Sequence, residues 1–207
     1  MPGMNVALPS RTDILASDRP DVEPLHADIC TLKPTLDLQE NFFAVFGLRP
    51  GPDIDLAGLS ATYRSLQQQV HPDRFTRECD RTQRLAQQQA ALVNTAYNTL
   101  KSPLARAQYL LELAGQHREP ETTLRDPAFL MEQMALRERL DESAGDMRAL
   151  DTLLADVMAA RDGYWLAFAG AWQAQDWPQA QLQVDKLQFA SKLAQEIDER
   201  QARLLDD

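Results

Sequence analysis

His71, Pro72 and Asp73 set an imidazole and a carboxylate two positions apart, on either side of a fixed ring. An imidazole gives or takes a proton near neutral pH. A carboxylate accepts charge-assisted hydrogen bonds and pairs with arginine. Two uses follow: an acid–base pair acting on a small substrate, or a contact surface for another protein. The first needs a walled pocket that excludes water. The flanking sequence argues against such a pocket. Leu59, Tyr63, Leu66 and Val70 precede the tripeptide at helical spacing, and Leu85, Ala86, Leu92, Val93, Ala96 and Leu100 follow it. Proline removes a backbone donor and disfavours helical geometry in the residue before it, so the first helix ends near His71. His-Pro-Asp is then the tip of a helical hairpin, which suits a contact surface and not a core. The plain alternative is a turn whose histidine and aspartate are merely solvated. No enzymatic activity is expected of the chain itself.

Other chemistries find little support. His26, His71 and His117 are too dispersed for a metal cluster, and His26 with Cys30, four residues apart, lacks a second ligand pair. No glycine-rich phosphate loop, H-E-x-x-H or G-x-S-x-G is present. No metal or cofactor is expected. The net charge of −10 and the absence of a basic run exclude a nucleic-acid surface. The apolar stretches fall short of the ~20 residues that span a bilayer, and the acidic N-terminal region resembles neither a secretory signal nor an organellar presequence. The two cysteines, Cys30 and Cys79, form no C-x-x-C pair, which argues against a disulfide framework or a zinc finger. A cytoplasmic protein is expected.

The elements that must position the tripeptide are all helical, because no period-2 run occurs. Residues 1–36 hold five prolines and scattered acids and read as a flexible tail. From Asp37, a capping sequence (Asp37-Leu38-Gln39-Glu40) opens a short helix through Phe42, Phe43 and Phe46, and Gly47 ends it. Asp53 or Asp55 caps a helix over about 55–70. A third runs over about 80–100. Ser102-Pro103 starts a fourth, closed by Gly115. Residues 115–125 are polar and read as a linker. Asp126-Pro127 starts a helix to about 143, a long helix follows to about 175, and Asp176-Trp177-Pro178 opens the last. The expected units are residues 37–114 and a three-helix unit over 126–207.

The helix from 127 carries two apolar stripes. At about 100° per residue, Phe129, Leu136 and Leu140 share the face suited to a core. Leu130, Met131 and Met134 lie on another, with Glu138 among them. Adaptable methionines suit a partner surface. Burial between the other helices on both sides is the competing reading. Phe189 also has two readings, since with Leu193 and Ile197 it makes an ordinary core row.

Residues 38–113 resemble a J domain of the DnaJ type. The matching blocks are Asn41 to Leu48 (NFFAVFGL), Tyr63-Arg64, His71 to Phe75 (HPDRF), Asn94 to Leu100 (NTAYNTL) and Lys101 to Leu111 (KSPLARAQYLL). The stretch Arg125 to Glu138 (RDPAFLMEQMALRE) resembles the scaffold-binding helix of the HscB family, the J-type co-chaperones of iron–sulfur cluster assembly, and Leu187 to Leu193 resembles that family's last helix. The resemblance implies an all-α protein, a J domain followed by a C-terminal three-helix bundle in an L-like arrangement, monomeric by default. It implies that His71, Pro72 and Asp73, with Arg64 and Arg74, engage an HscA/DnaK-type ATPase. It also implies that Leu130, Met131, Met134, Glu138 and Phe189 hold an IscU-type scaffold. Two departures stand out. Glutamines 67–69 replace the basic residues usual on the second helix, and Ala135 and Arg139 stand where the family tends to carry acids.

Overall fold

The computed structural model describes residues 40–116 and 126–206, and every regular element in it is helical. The expected tail, the linker from residue 117 onward, Asp37, and the His26/Cys30 pair lie outside the described residues.

Helix α1 is Phe42–Val45, capped by Asn41, whose side chain accepts from the Ala44 N–H at 3.0 Å. The expected cap at Asp37 is therefore displaced by four residues. Asn41 is an equally good capping residue, and a tertiary contact fixes the start there. The Phe42 N–H, which has no partner within so short a helix, donates to the Tyr109 hydroxyl at 2.9 Å, and the two rings stack at 4.4 Å. Gly47 closes α1 at φ +67°, a left-handed conformation that favours glycine.

Asp55 caps α2 (Leu56–Val70), and α3 (Asp80–Lys101) returns beside it. A polar-aromatic seam joins the hairpin. Tyr63 stacks on Tyr97 at 4.0 Å, the Tyr63 hydroxyl donates to Asn94 Oδ1 at 2.9 Å, and the Gln67 amide donates to the same oxygen. Ser102 caps α4 (Pro103–Leu113), and Gly115 ends it at φ +71°. Cys79, at the start of α3, is disulfide-bonded, so the sequence argument against disulfides does not hold there. The other cysteine of the chain, Cys30, lies outside the described residues.

Asp126 caps α5 (Pro127–Glu142), Asp146 caps α6 (Met147–Ala174), and α7 (Trp177–Asp206) completes the chain. Helix α6 ends on Gln175 at φ +56°, a left-handed residue with no glycine to signal it.

One core cluster spans both halves of the chain. Phe43, Leu59, Val70, Val93, Leu100 and Leu110 pack in one cluster with Phe168, Ala180 and Leu187 from α6 and α7. Helix α4 packs on α7, so the hairpin is carried on the long helices through apolar burial. Truncating a fully buried ring such as Phe43 to alanine would cost ~3–5 kcal/mol. A second cluster, with Leu140, Leu150, Leu153, Val157, Leu193 and Ile197, holds α5, α6 and α7 together.

Candidate functional site

Proline at the end of α2 produces a tight 3-10 turn, Pro72–Phe75, directly after the helix. His71 has extended backbone, and its Nδ1 accepts from the Asp73 N–H at 3.3 Å. The Asp73 carboxylate lies 3.6 Å from the same nitrogen. A ring that accepts at Nδ1 carries its hydrogen on Nε2. The Arg74 guanidinium donates to the Gln68 carbonyl at 3.1 Å, one of the orphan carbonyls of the last turn of α2, and so braces the tip against its helix. The side chain of His71 is 54% exposed and that of Asp73 85%. These two groups stand in water, accessible to a partner and unsuited to walled acid–base catalysis. Arg64, two helical turns before His71, and Arg74 are exposed on the same segment.

On α5 the two stripes separate. Phe129 and Leu140 are buried, and Leu136 is half-buried. Leu130 is 45% exposed, and Met131 and Met134 are each 72% exposed. Burial of this second stripe between neighbouring helices does not occur. Glu138 and Ala135 are exposed beside it. Phe189 is half-buried: it meets Phe129 edge-on at 5.6 Å, under the Arg137 guanidinium at 5.8 Å. It belongs to the floor beneath α5 more than to the open stripe.

Polar ties hold α5 at both ends. The Asp126 carboxylate caps Phe129 N–H at 3.2 Å and pairs with Lys186 of α7 at 3.2 Å. These bonds, the backbone one foremost, keep its carboxyl below the usual carboxylate range. Lys186 lies over the Phe129 ring at 5.0 Å and the Tyr164 ring at 5.8 Å. The Tyr164 hydroxyl donates to Glu132 at 2.9 Å, and burial, reinforced by that carboxylate, pushes it well above its ordinary value. At the other end Arg139 pairs with Asp156 at 2.7 Å, and Arg200 donates to the Leu140 carbonyl at 2.7 Å and to Asp141 at 2.9 Å. Arg139, a departure from the resembled pattern, thus has a structural tie within the chain. Lys186, Tyr164 and Glu132 carried no signal in the sequence, because their contact joins three helices.

Among the described residues, no group of three or more His, Cys, Asp or Glu could hold a metal ion. No helix among them is long and apolar enough to cross a membrane.

Residues 125–198 match the family model described as the HSCB C-terminal oligomerisation domain. The chain is 40% identical, over 169 residues, to the co-chaperone protein HscB homolog of Vibrio cholerae serotype O1 (strain M66-2), covering 80% of this chain and 99% of that one. The chain belongs to the HscB family of co-chaperones. The chaperone HscB from Vibrio cholerae is similar in structure, with a TM-score of 0.72 at 38% identity, covering 80% of this chain and 99% of that one. Human co-chaperone HscB gives 0.75 at 28% identity, covering 80% and 84%. The Jac1 co-chaperone of Saccharomyces cerevisiae, at 22% identity and 0.61 over 77% of this chain and 97% of that one, shares the fold. The fold is accordingly that of an N-terminal J domain followed by a C-terminal helical bundle.

Proposed function

We propose that this HscB-family chain is a specialised J-domain co-chaperone of iron–sulfur cluster assembly. It stimulates the ATPase of an HscA/DnaK-type chaperone and delivers an IscU-type scaffold protein to it. The observation that carries the reading is that one chain holds two separate exposed surfaces: the His71-Pro72-Asp73 tip, and the Leu130/Met131/Met134 stripe of α5.

Asp73 accepts charge-assisted hydrogen bonds from an arginine of the ATPase, Pro72 holds the turn, and His71 with Arg64 and Arg74 completes the contact. The chain binds no nucleotide and catalyses no turnover itself. The methionine-rich stripe takes an apolar patch of the scaffold, Glu138 adds a carboxylate beside it, and Phe189 supports the helix from below. The location implied is cytoplasmic, and each monomer carries both surfaces. A second copy on the C-terminal bundle is the alternative, and sedimentation velocity separates the two states.

Steady-state ATP hydrolysis by an HscA-type chaperone tests the proposal. Wild type should accelerate it, and His71→Gln should not while retaining the same thermal unfolding. A folded wild type that leaves hydrolysis unchanged would refute the ATPase role. Acceleration that never responds to an IscU-type scaffold would keep the J domain and assign it another client.

A further inference from the structure

We infer that Arg106 is a positioning residue that fixes the angle between the J domain and the C-terminal bundle, so that delivery by the mechanism proposed above depends on it. Arg106 lies on α4 and is 5% exposed. Its Nη1 donates to the Leu100 carbonyl near the end of α3 at 2.6 Å, and its guanidinium lies 4.5 Å from the centre of the Trp165 ring on α6. The buried Nε has no hydrogen-bond partner. Burial pulls the guanidinium below its ordinary pKa, against a smaller attraction from Asp53.

A buried cation with an unsatisfied donor is a poor choice for stability alone, since an apolar side chain of similar volume usually does as well or better. What the guanidinium supplies is direction. The guanidinium must sit over the indole while one of its nitrogens holds a carbonyl of the neighbouring helix. The surrounding contacts, Phe43, Leu110 and Phe168 among them, are aliphatic or aromatic packing. Such packing loses uniqueness before it loses stability. Arg106 therefore selects one orientation of α4 against α6, at a joint whose main helix contact is between α4 and α7. Linking an ATPase surface to a client surface raises the effective concentration of one for the other only when the geometry allows both to engage together.

The test uses the full chain with Arg106→Met, which keeps the stem, and Arg106→Lys, which keeps the charge but not the plane. Distances between spin labels on genetically encoded residues at positions 65 (α2) and 152 (α6) report the joint without any partner. Both variants should broaden the distance distribution. Arg106→Met should unfold at the wild-type temperature or higher, bind an IscU-type scaffold within about twofold of wild type, and stimulate the ATPase normally in the scaffold's absence. The extra stimulation that the scaffold brings should fall on the order of tenfold, a partial loss of the roughly 10²–10⁴ that linkage can supply. An unchanged distribution in both variants would overturn the inference, as would a broadened one with scaffold-dependent stimulation intact. If wild type itself shows no scaffold-dependent stimulation, the proposed function fails, and the distance measurement still decides whether Arg106 positions the joint. Should Arg106→Met not fold, Arg106→Lys decides alone.

Discussion

Replacing Leu130, Met131 and Met134 together by alanine should abolish tight scaffold binding while leaving the fold intact. At 45%, 72% and 72% exposure, the three side chains offer a partner about two fully exposed side chains of apolar surface. Complete burial of one such side chain contributes ~1.5–3 kcal/mol, so docking them gains ~3–6 kcal/mol. Alanine keeps a minor part of that, and the expected loss is ~2–4 kcal/mol, roughly 30- to 1,000-fold in Kd. The same exposure predicts almost no effect on folding, within about 0.5 kcal/mol per site, and alanine suits a helix at least as well as leucine or methionine. Isothermal titration with an IscU-type scaffold gives the first quantity, and calorimetric unfolding gives the second. Unchanged affinity would refute the assignment of the stripe to the client. A fall in Tm of many degrees would mean that the stripe packs against the chain itself.

Gly163 sits inside α6, and a Cβ built there meets nothing within 4 Å, so Gly163→Ala should raise stability by ~0.5–1 kcal/mol in chemical denaturation. Asp126→Ala should lower amide protection over the first turn of α5 and weaken scaffold affinity. Because the folded carboxyl titrates below its unfolded value of ~3.9, the tie is fully present above that pH and is lost as pH falls through the lower folded value, and hydrogen exchange across that range checks it. Tyr164 runs the other way. Its hydroxyl is held protonated beyond the ordinary tyrosine value of ~10, so its contribution is complete below that pH and is lost as pH rises above it. Tyr164→Phe should cost ~0.5–1 kcal/mol at neutral pH and show a shallower alkaline decline in Tm.

Much of this molecule is legible in its sequence. Local rules sufficed where one residue type has one local use. Asp55, Ser102 and Asp126 cap helices as their positions require, and Gly47 and Gly115 take the left-handed conformations that end them. The two stripes of α5 separated on a helical wheel, but which of them faced solvent depended on where α6 and α7 lay. Local rules alone do not single out Asn41 as the start of α1; the contact of Phe42 with Tyr109, far along the chain, fixes that start. Gln175 ends α6 without glycine, so composition could not mark it. Lys186 and Arg106 were invisible for a similar reason. Each is an ordinary basic residue in an amphipathic helix until α5 or α6 is laid against it.

If one chain joins an ATPase contact to a client contact, a complementation assay will show it. Scaffold-dependent ATP hydrolysis by an HscA-type chaperone would be measured with wild type, with Asp73→Ala, with the α5 triple-alanine variant, and with the two variants mixed. If the surfaces act in cis, the mixture should show no more scaffold-dependent stimulation than the better single variant. A mixture that restores the wild-type rate would contradict the account, because two surfaces that work equally well on separate molecules have no need of a shared chain.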